Sequence, residues 1–256
     1  MLYIERNQQV QTDKMQFSEE GYIIKVRKHG EQSAIVTLVC PNHGKVVGYV
    51  KGALNKRGLG VYQVGNYVSF NAYMRLEENM PSLRGVELLH SHTADFVLNN
   101  DKIEALVSMC RLLDECVAQN DDLGVFFNAV DDFFKHINDK NWLVYYSFFE
   151  FYLLEFLGIG LDISECAVTG KRTDLRYISP KTGRAVCAEV GAPYKDRLFA
   201  YPQYIVEHNY MPQNTEVAEV LAMTGSFLEK NFLTQHNLKL PENRANLLNP
   251  IKMYKL

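Results

Sequence analysis

Two cysteines head two short turns beyond the middle of the chain, Cys166-Ala-Val-Thr169 and Cys187-Ala-Glu-Val190. In a zinc ribbon each such turn ends on a second cysteine, and four thiolates surround the metal as a tetrahedron. Here Thr169 and Val190 stand at the second positions. Valine has no lone pair to give and a threonine hydroxyl is a poor zinc ligand, so half of the donor set is missing. Glu165 and Glu189 are nearby oxygen donors. The segment 162–201 therefore reads as a degenerate zinc-ribbon-like insert held by packing, and neither metal nor cofactor is expected. His90 and His92 alternate on one side of an extended stretch and could chelate, but two histidines without a third ligand read as surface residues. Asp121-Asp122 and Asp131-Asp132 fit helix starts or exposed helix faces, where carboxylates are solvated or favour the macrodipole. Gly58-Leu-Gly60 lacks the Gly-Lys-Ser/Thr that completes a phosphate-binding loop. Neither a His-Glu-x-x-His nor a Gly-x-Ser-x-Gly motif is present. An enzyme is not expected.

The basic residues point to a different chemistry. The chain has 27 Lys+Arg against 30 Asp+Glu, a net charge of −3. Between residues 22 and 90 the sign reverses, with nine basic residues against four acidic ones, a net of +5, leaving −8 for the rest. Clustered cations on one module are the footprint of a polyanionic partner. Lys25, Arg27 and Lys28 fall at the end of a first strand. Lys51, Lys56 and Arg57 lie in a glycine-containing loop, and Arg75 lies at the end of a fourth strand. If these ends and loops converge on one face, the first six residues form one phosphate-binding track, with Arg75 beside it. Tyr22, Tyr49, Tyr62, Tyr67, Phe70 and Tyr73 are interleaved with them.

The elements that must position these residues follow from periodicity. Runs at 22–25, 33–39, 45–50, 65–73 and 82–89 are rich in β-branched and aromatic residues and bounded by turns such as Asn42-His43-Gly44. Five short strands with one long basic loop predict an OB-type barrel, a fold that often binds single-stranded nucleic acid. From about residue 101 the period becomes 3.6. Ile103, Leu106, Val107, Cys110, Leu113 and Val117 make one helical face. Residues 123–137 make a second, and 142–157 are apolar nearly all round, as in a central helix. Further helices are expected at 215–233 and 244–248. The predicted class is α+β. Residues 1–14 form a disordered extension, 15–92 an OB-fold domain, and 93–256 a helical domain carrying the insert. The most apolar run is interrupted by Glu150 and Glu155, so no membrane span is expected. Five cysteines at irregular spacing fit free thiols in a reducing, cytoplasmic compartment.

The order of these motifs resembles a known family. A basic, strand-rich N-terminus with His29-Gly-Glu31 and Lys51-Gly-Ala53 is followed by Glu150-Phe-Tyr-Leu-Leu-Glu-Phe-Leu-Gly158. Next come Cys166-Ala-Val-Thr-Gly170 and Ser179-Pro-Lys-Thr-Gly-Arg-Ala-Val-Cys187. From Met15 onward the chain is similar to the RecO family of bacterial recombination mediators. Some members of that family carry four zinc cysteines and others have lost them. The resemblance implies binding of single- and double-stranded DNA and annealing of complementary strands. It also implies cooperation with RecR and the single-stranded-DNA-binding protein in loading RecA. An RNA-binding or translation-linked OB module with a helical dimerisation domain is the alternative expectation.

Overall fold

The computed structural model describes residues 15–74, 80–92, 95–96, 99–207 and 209–253. The extension expected at 1–14 and the site residue Arg75 lie outside them. Five strands come first: β1 Met15–His29, β2 Ser33–Cys40, β3 Gly44–Val50, β4 Tyr67–Met74 and β5 Ser82–His90. They close into a barrel in the order β1-β2-β3-β5-β4. Alternation builds its interior: Ala34, Val36, Leu38 and Cys40 from β2 meet Val68, Phe70 and Ala72 from β4. Closure needs Gly48, because a Cβ there would lie 2.4 Å from Leu83 Cγ where β3 meets β5.

β1 is longer than expected and serves two cores. Its pairing with β2 slips between Ile23 and Lys25. Such a bulge re-aims the side chains that follow it. Ile23 and Val26 pack in the barrel, whereas Tyr22 and Ile24 join the core of the helices.

The helical part comprises α1 Asn100–Cys116, α2 Phe126–Lys135, α3 Trp142–Phe156, α4 Asn214–Leu228 and α5 Glu242–Met253. Among the described residues no helix is long and apolar enough to cross a membrane. The buried face of α1 is rotated from the expected one. Ile103 and Val107 are exposed, and Ala105, Met109, Leu112 and Cys116 are buried instead. The reason is that α1 is held between β1 on one side and α5 on another. Between α3 and α4 lies a sheet of β6 Leu175–Ile178, β7 Ala185–Cys187 and β8 Phe199–Ala200, in the order β7-β6-β8.

Central α3 hides its few polar groups with partners. Tyr146 Oη lies 2.8 Å from Ser108 Oγ, and Ser147 Oγ lies 2.7 Å from Tyr204 Oη. Glu150 is fully buried and accepts from Arg244 Nε at 2.7 Å, from Arg244 Nη2 at 2.8 Å and from Thr224 Oγ1 at 2.5 Å. A Cβ at Gly225 would sit 2.5 Å from the Arg244 guanidinium, so glycine there leaves room for the pair. Glu150 thus joins α3, α4 and α5. Removing one partner of a buried pair strands the other charge and costs about 3–5 kcal/mol. Arg244→Met should lower stability by that order in urea unfolding, and Glu150→Leu added to it should recover a large part of the loss.

Candidate nucleic-acid interface

β2 and β3 run between two different environments. At one end, the β2–β3 turn abuts the helices. A Cβ on Gly44, whose φ is 59°, would lie 1.6 Å from the Asp121 carbonyl oxygen. Tyr22 stacks on Phe134 with ring centroids 4.0 Å apart and donates its hydroxyl to Asp131 Oδ1 at 2.8 Å. Burial, with Asp131 beside it, pushes the Tyr22 hydroxyl pKa well up. Asp131, expected on an exposed face, is therefore part of this seam, where it also pairs with Lys135. Asp114, in the last turn of α1, gathers two barrel lysines. Lys25 Nζ is 2.5 Å from its carboxylate, and Lys45 Nζ donates to its backbone carbonyl at 2.7 Å. A cation at a helix C-terminus also meets the negative end of the macrodipole. Lys45 is buried, which lowers its pKa, and Asp114 opposes that shift.

The other end of the barrel is basic and open. Arg27 and Lys28 pair with Ile35 and Ala34 near the β1–β2 turn. Ala34 pairs with Val50, the residue before Lys51. The loop after β3 is tied to the β1–β2 turn by Leu54 N donating to Gln32 O at 2.9 Å. Asn55 Oδ1 accepts from the backbone N–H of Arg57 at 3.0 Å and of Gly58 at 2.8 Å, which fixes the loop's shape. Arg27, Lys28, Lys51, Lys56 and Arg57 are all exposed. Among the described residues none of the five is ion-paired. These five candidate residues share one end of the barrel, whereas Lys25 is turned toward Asp114. Arg27 and Lys28 occupy alternating positions, so they leave the strand on opposite faces.

The strand order groups two of the aromatics noted in the sequence with a further cation. On the outer wall Ile35 pairs with Tyr49, Tyr49 with Ser82, and Ser82 with Tyr73, so a row crosses β2, β3, β5 and β4 from the position beside Arg27. The Arg84 guanidinium lies 5.1 Å from the centroid of the Tyr73 ring, which is exposed. Exposed aromatic faces beside cations can stack bases. Alternation places Tyr49 and Tyr73 outward, but only the strand order puts them in one row, on either side of Ser82.

In the insert, Cys166 and Cys187 are buried with Leu175, Tyr177, Val186 and Val190. Thr169 Oγ1 lies 3.7 Å from Cys187 Sγ. The expected second-ligand positions are thus filled by a hydroxyl and by an apolar packing group. Burial opposes ionisation of Cys166. Even so, the Thr169 hydroxyl and the backbone N–H groups of Cys187, Thr169 and Val168 bring its thiol down to about 6. A thiol whose folded pKa is depressed stabilises the fold above its unfolded pKa of about 8.5. That contribution is lost as pH falls through the folded value. Thermal melting should show wild-type protein losing more stability than Cys166→Ser between about pH 8.5 and 6. Cys187→Ser should leave the chain folded and cost about 1–3 kcal/mol, the range for a hydroxyl placed in an apolar site.

Comparison with known proteins places this arrangement. The profile of "Recombination protein O N terminal" matches residues 15–92, and that of "Recombination protein O C terminal" matches residues 101–238. The chain is 36% identical over 241 residues to the DNA repair protein RecO of Bartonella quintana (strain Toulouse), covering 91% of this chain and 96% of that protein. To the DNA repair protein RecO of Xanthobacter autotrophicus (strain ATCC BAA-1158 / Py2) it is 36% identical over 240 residues, covering 90% and 95%. The DNA repair protein RecO of Ehrlichia chaffeensis (strain ATCC CRL-10679 / Arkansas) is 31% identical to it over 245 residues, covering 93% and 99%. Two matched profiles in tandem and relatives aligned over nine-tenths of its length show that this chain belongs to the RecO family.

Proposed function

We propose that this protein is a DNA-repair and recombination mediator that binds DNA through the basic end of its barrel and acts by scaffolding and annealing, without covalent chemistry. The observation that carries the reading is the match to proteins named DNA repair protein RecO along nearly the whole chain. The strand order β1-β2-β3-β5-β4 of a closed barrel supports assigning the module at 15–92 to the OB type. The helical module then runs from 93, with a ribbon derived from a zinc-binding one at about 162–201. Arg27, Lys28, Lys51, Lys56 and Arg57 are the proposed phosphate contacts, with Arg75 beyond β4. Lys25 contributes less, because Asp114 already neutralises it. Phosphate contacts hold a strand without reading it and leave the base edges open for pairing. Annealing needs that combination: two polyanions brought together with their bases free. RecR and the single-strand-binding protein are the proposed partners, and RecA the filament former that the complex helps to load.

On single strands each neutralised phosphate contributes a slope of roughly −0.7 in log K against log salt. Lys51→Ala with Lys56→Ala and Arg57→Ala should weaken DNA binding on every sequence, flatten the slope by about 2 and slow annealing, while the helices stay folded. Lys239→Ala is the control and should change little. Lys25→Ala should alter the slope less than any of the three loop residues. Unchanged affinity and slope in the triple variant would move the DNA site elsewhere, with the Lys171 to Arg184 ribbon tested next.

A further inference from the structure

Asp95 stands as a third ligand beside His90 and His92. His90 closes β5, where it pairs with Tyr67 of β4. Asp95 donates its backbone N–H to His92 O at 2.9 Å, and His92 Nδ1 lies 3.2 Å from Asp95 Oδ2. The rings of His90 and His92 have centroids 4.2 Å apart. One donor atom from each of His90, His92 and Asp95 lies within 4.8 Å of the other two. Tetrahedral zinc, with bonds of about 2.0–2.2 Å, holds its ligand atoms roughly 3.4 Å apart. His90 is the exposed member of the three, so its side chain has room to approach the other two.

The surroundings have the features of a built site. His92 is buried and packed against Phe134 and Tyr22, with ring centroids at 5.2 and 6.0 Å. Its orientation is therefore fixed by the barrel–helix seam. Asn138 Nδ2 donates to Asp95 Oδ1 at 2.8 Å, so the carboxylate is oriented from outside the ligand set, as outer partners orient metal ligands. His90 is exposed, which gives an ion a path from solvent and leaves room for water as the fourth ligand.

We propose that His90, His92 and Asp95 form a divalent transition-metal site of the zinc class, with one position left to water. Two imidazoles and a carboxylate suit zinc, cobalt or iron better than magnesium or calcium, which prefer all-oxygen shells. The bound ion joins the end of β5 to the connection between α2 and α3 through Asp95 and Asn138, and so clamps the barrel onto the helices. The site is separate from the ribbon cysteines and from the basic barrel end.

The test uses tag-free, full-length protein stripped with a chelator and titrated with Co²⁺, then Zn²⁺. One Co²⁺ per chain is expected, with a visible d–d absorption band, no sulfur charge-transfer band, and displacement by Zn²⁺. At a hundredfold excess over Kd the melting temperature should rise by roughly 5–10 °C. His90→Ala should melt like the metal-free wild type and lose both the band and the rise. Asn138→Ala should bind about 10–100-fold more weakly. Three results would overturn the site: no band and no rise in wild type, a band that persists in His90→Ala, or a thiolate band abolished by Cys166→Ser. The last would put the metal in the ribbon.

Discussion

Because the pairing of β1 with β2 slips between Ile23 and Lys25, one strand lines two cores. Ile23 and Val26 fill the barrel. Tyr22 and Ile24 fill the space among the helices, and Lys25 reaches Asp114. Without the slip, strict alternation would turn Lys25 toward the barrel interior and Val26 outward. The barrel would then keep its hydrogen bonds but lose its fit to α1. The stacked Tyr22–Phe134 pair, the hydroxyl bond to Asp131 and the close approach at Gly44 all depend on that docking.

The same docking decides where the charge is available. β2 is eight residues long, so its two ends lie roughly 23 Å apart. Toward the helix end, Lys45 reaches the Asp114 carbonyl, and Lys25, opposite Thr37 in mid-strand, reaches its carboxylate. At the other end, Arg27, Lys28, Lys51, Lys56 and Arg57 face solvent. A basic module is thereby polarised along its axis, with cations neutralised where they would repel nothing but water and left free where a polyanion can approach. Long-range attraction between such an end and a nucleic acid is screened over about 8–10 Å at physiological salt.

The helical part solves a different difficulty. α3 is so apolar that its polar groups must find partners inside the protein, since an unpaired buried polar group is costly. Ser147, Tyr146 and Glu150 each do so, with Tyr204, with Ser108, and with Thr224 and Arg244. Each bond specifies which element lies against which face of α3, where apolar contact alone would allow several packings.

The sequence alone determined the parts that rest on local periodicity. Alternating β-branched residues set five strands, and the 3.6 period set the helices around α3. It also showed that Thr169 and Val190 could not complete a four-thiolate zinc site, because ligand chemistry is a property of the side chain itself. What the sequence could not show involves partners far apart along the chain or a change of face. Glu150 and Arg244 are 94 residues apart, and read singly the first is merely an interruption in an apolar run. Lys25 and Lys45 count as free cations until α1 brings Asp114 to them. Ile103 and Val107 read as core until α1 is held between β1 and α5, which rotates its buried face. Asp95 is close to His92 in sequence, yet only the folded chain brings its carboxylate within reach of both imidazoles. Periodicity reports which side of an element is apolar, while the identity of what lies opposite is fixed only when the elements dock.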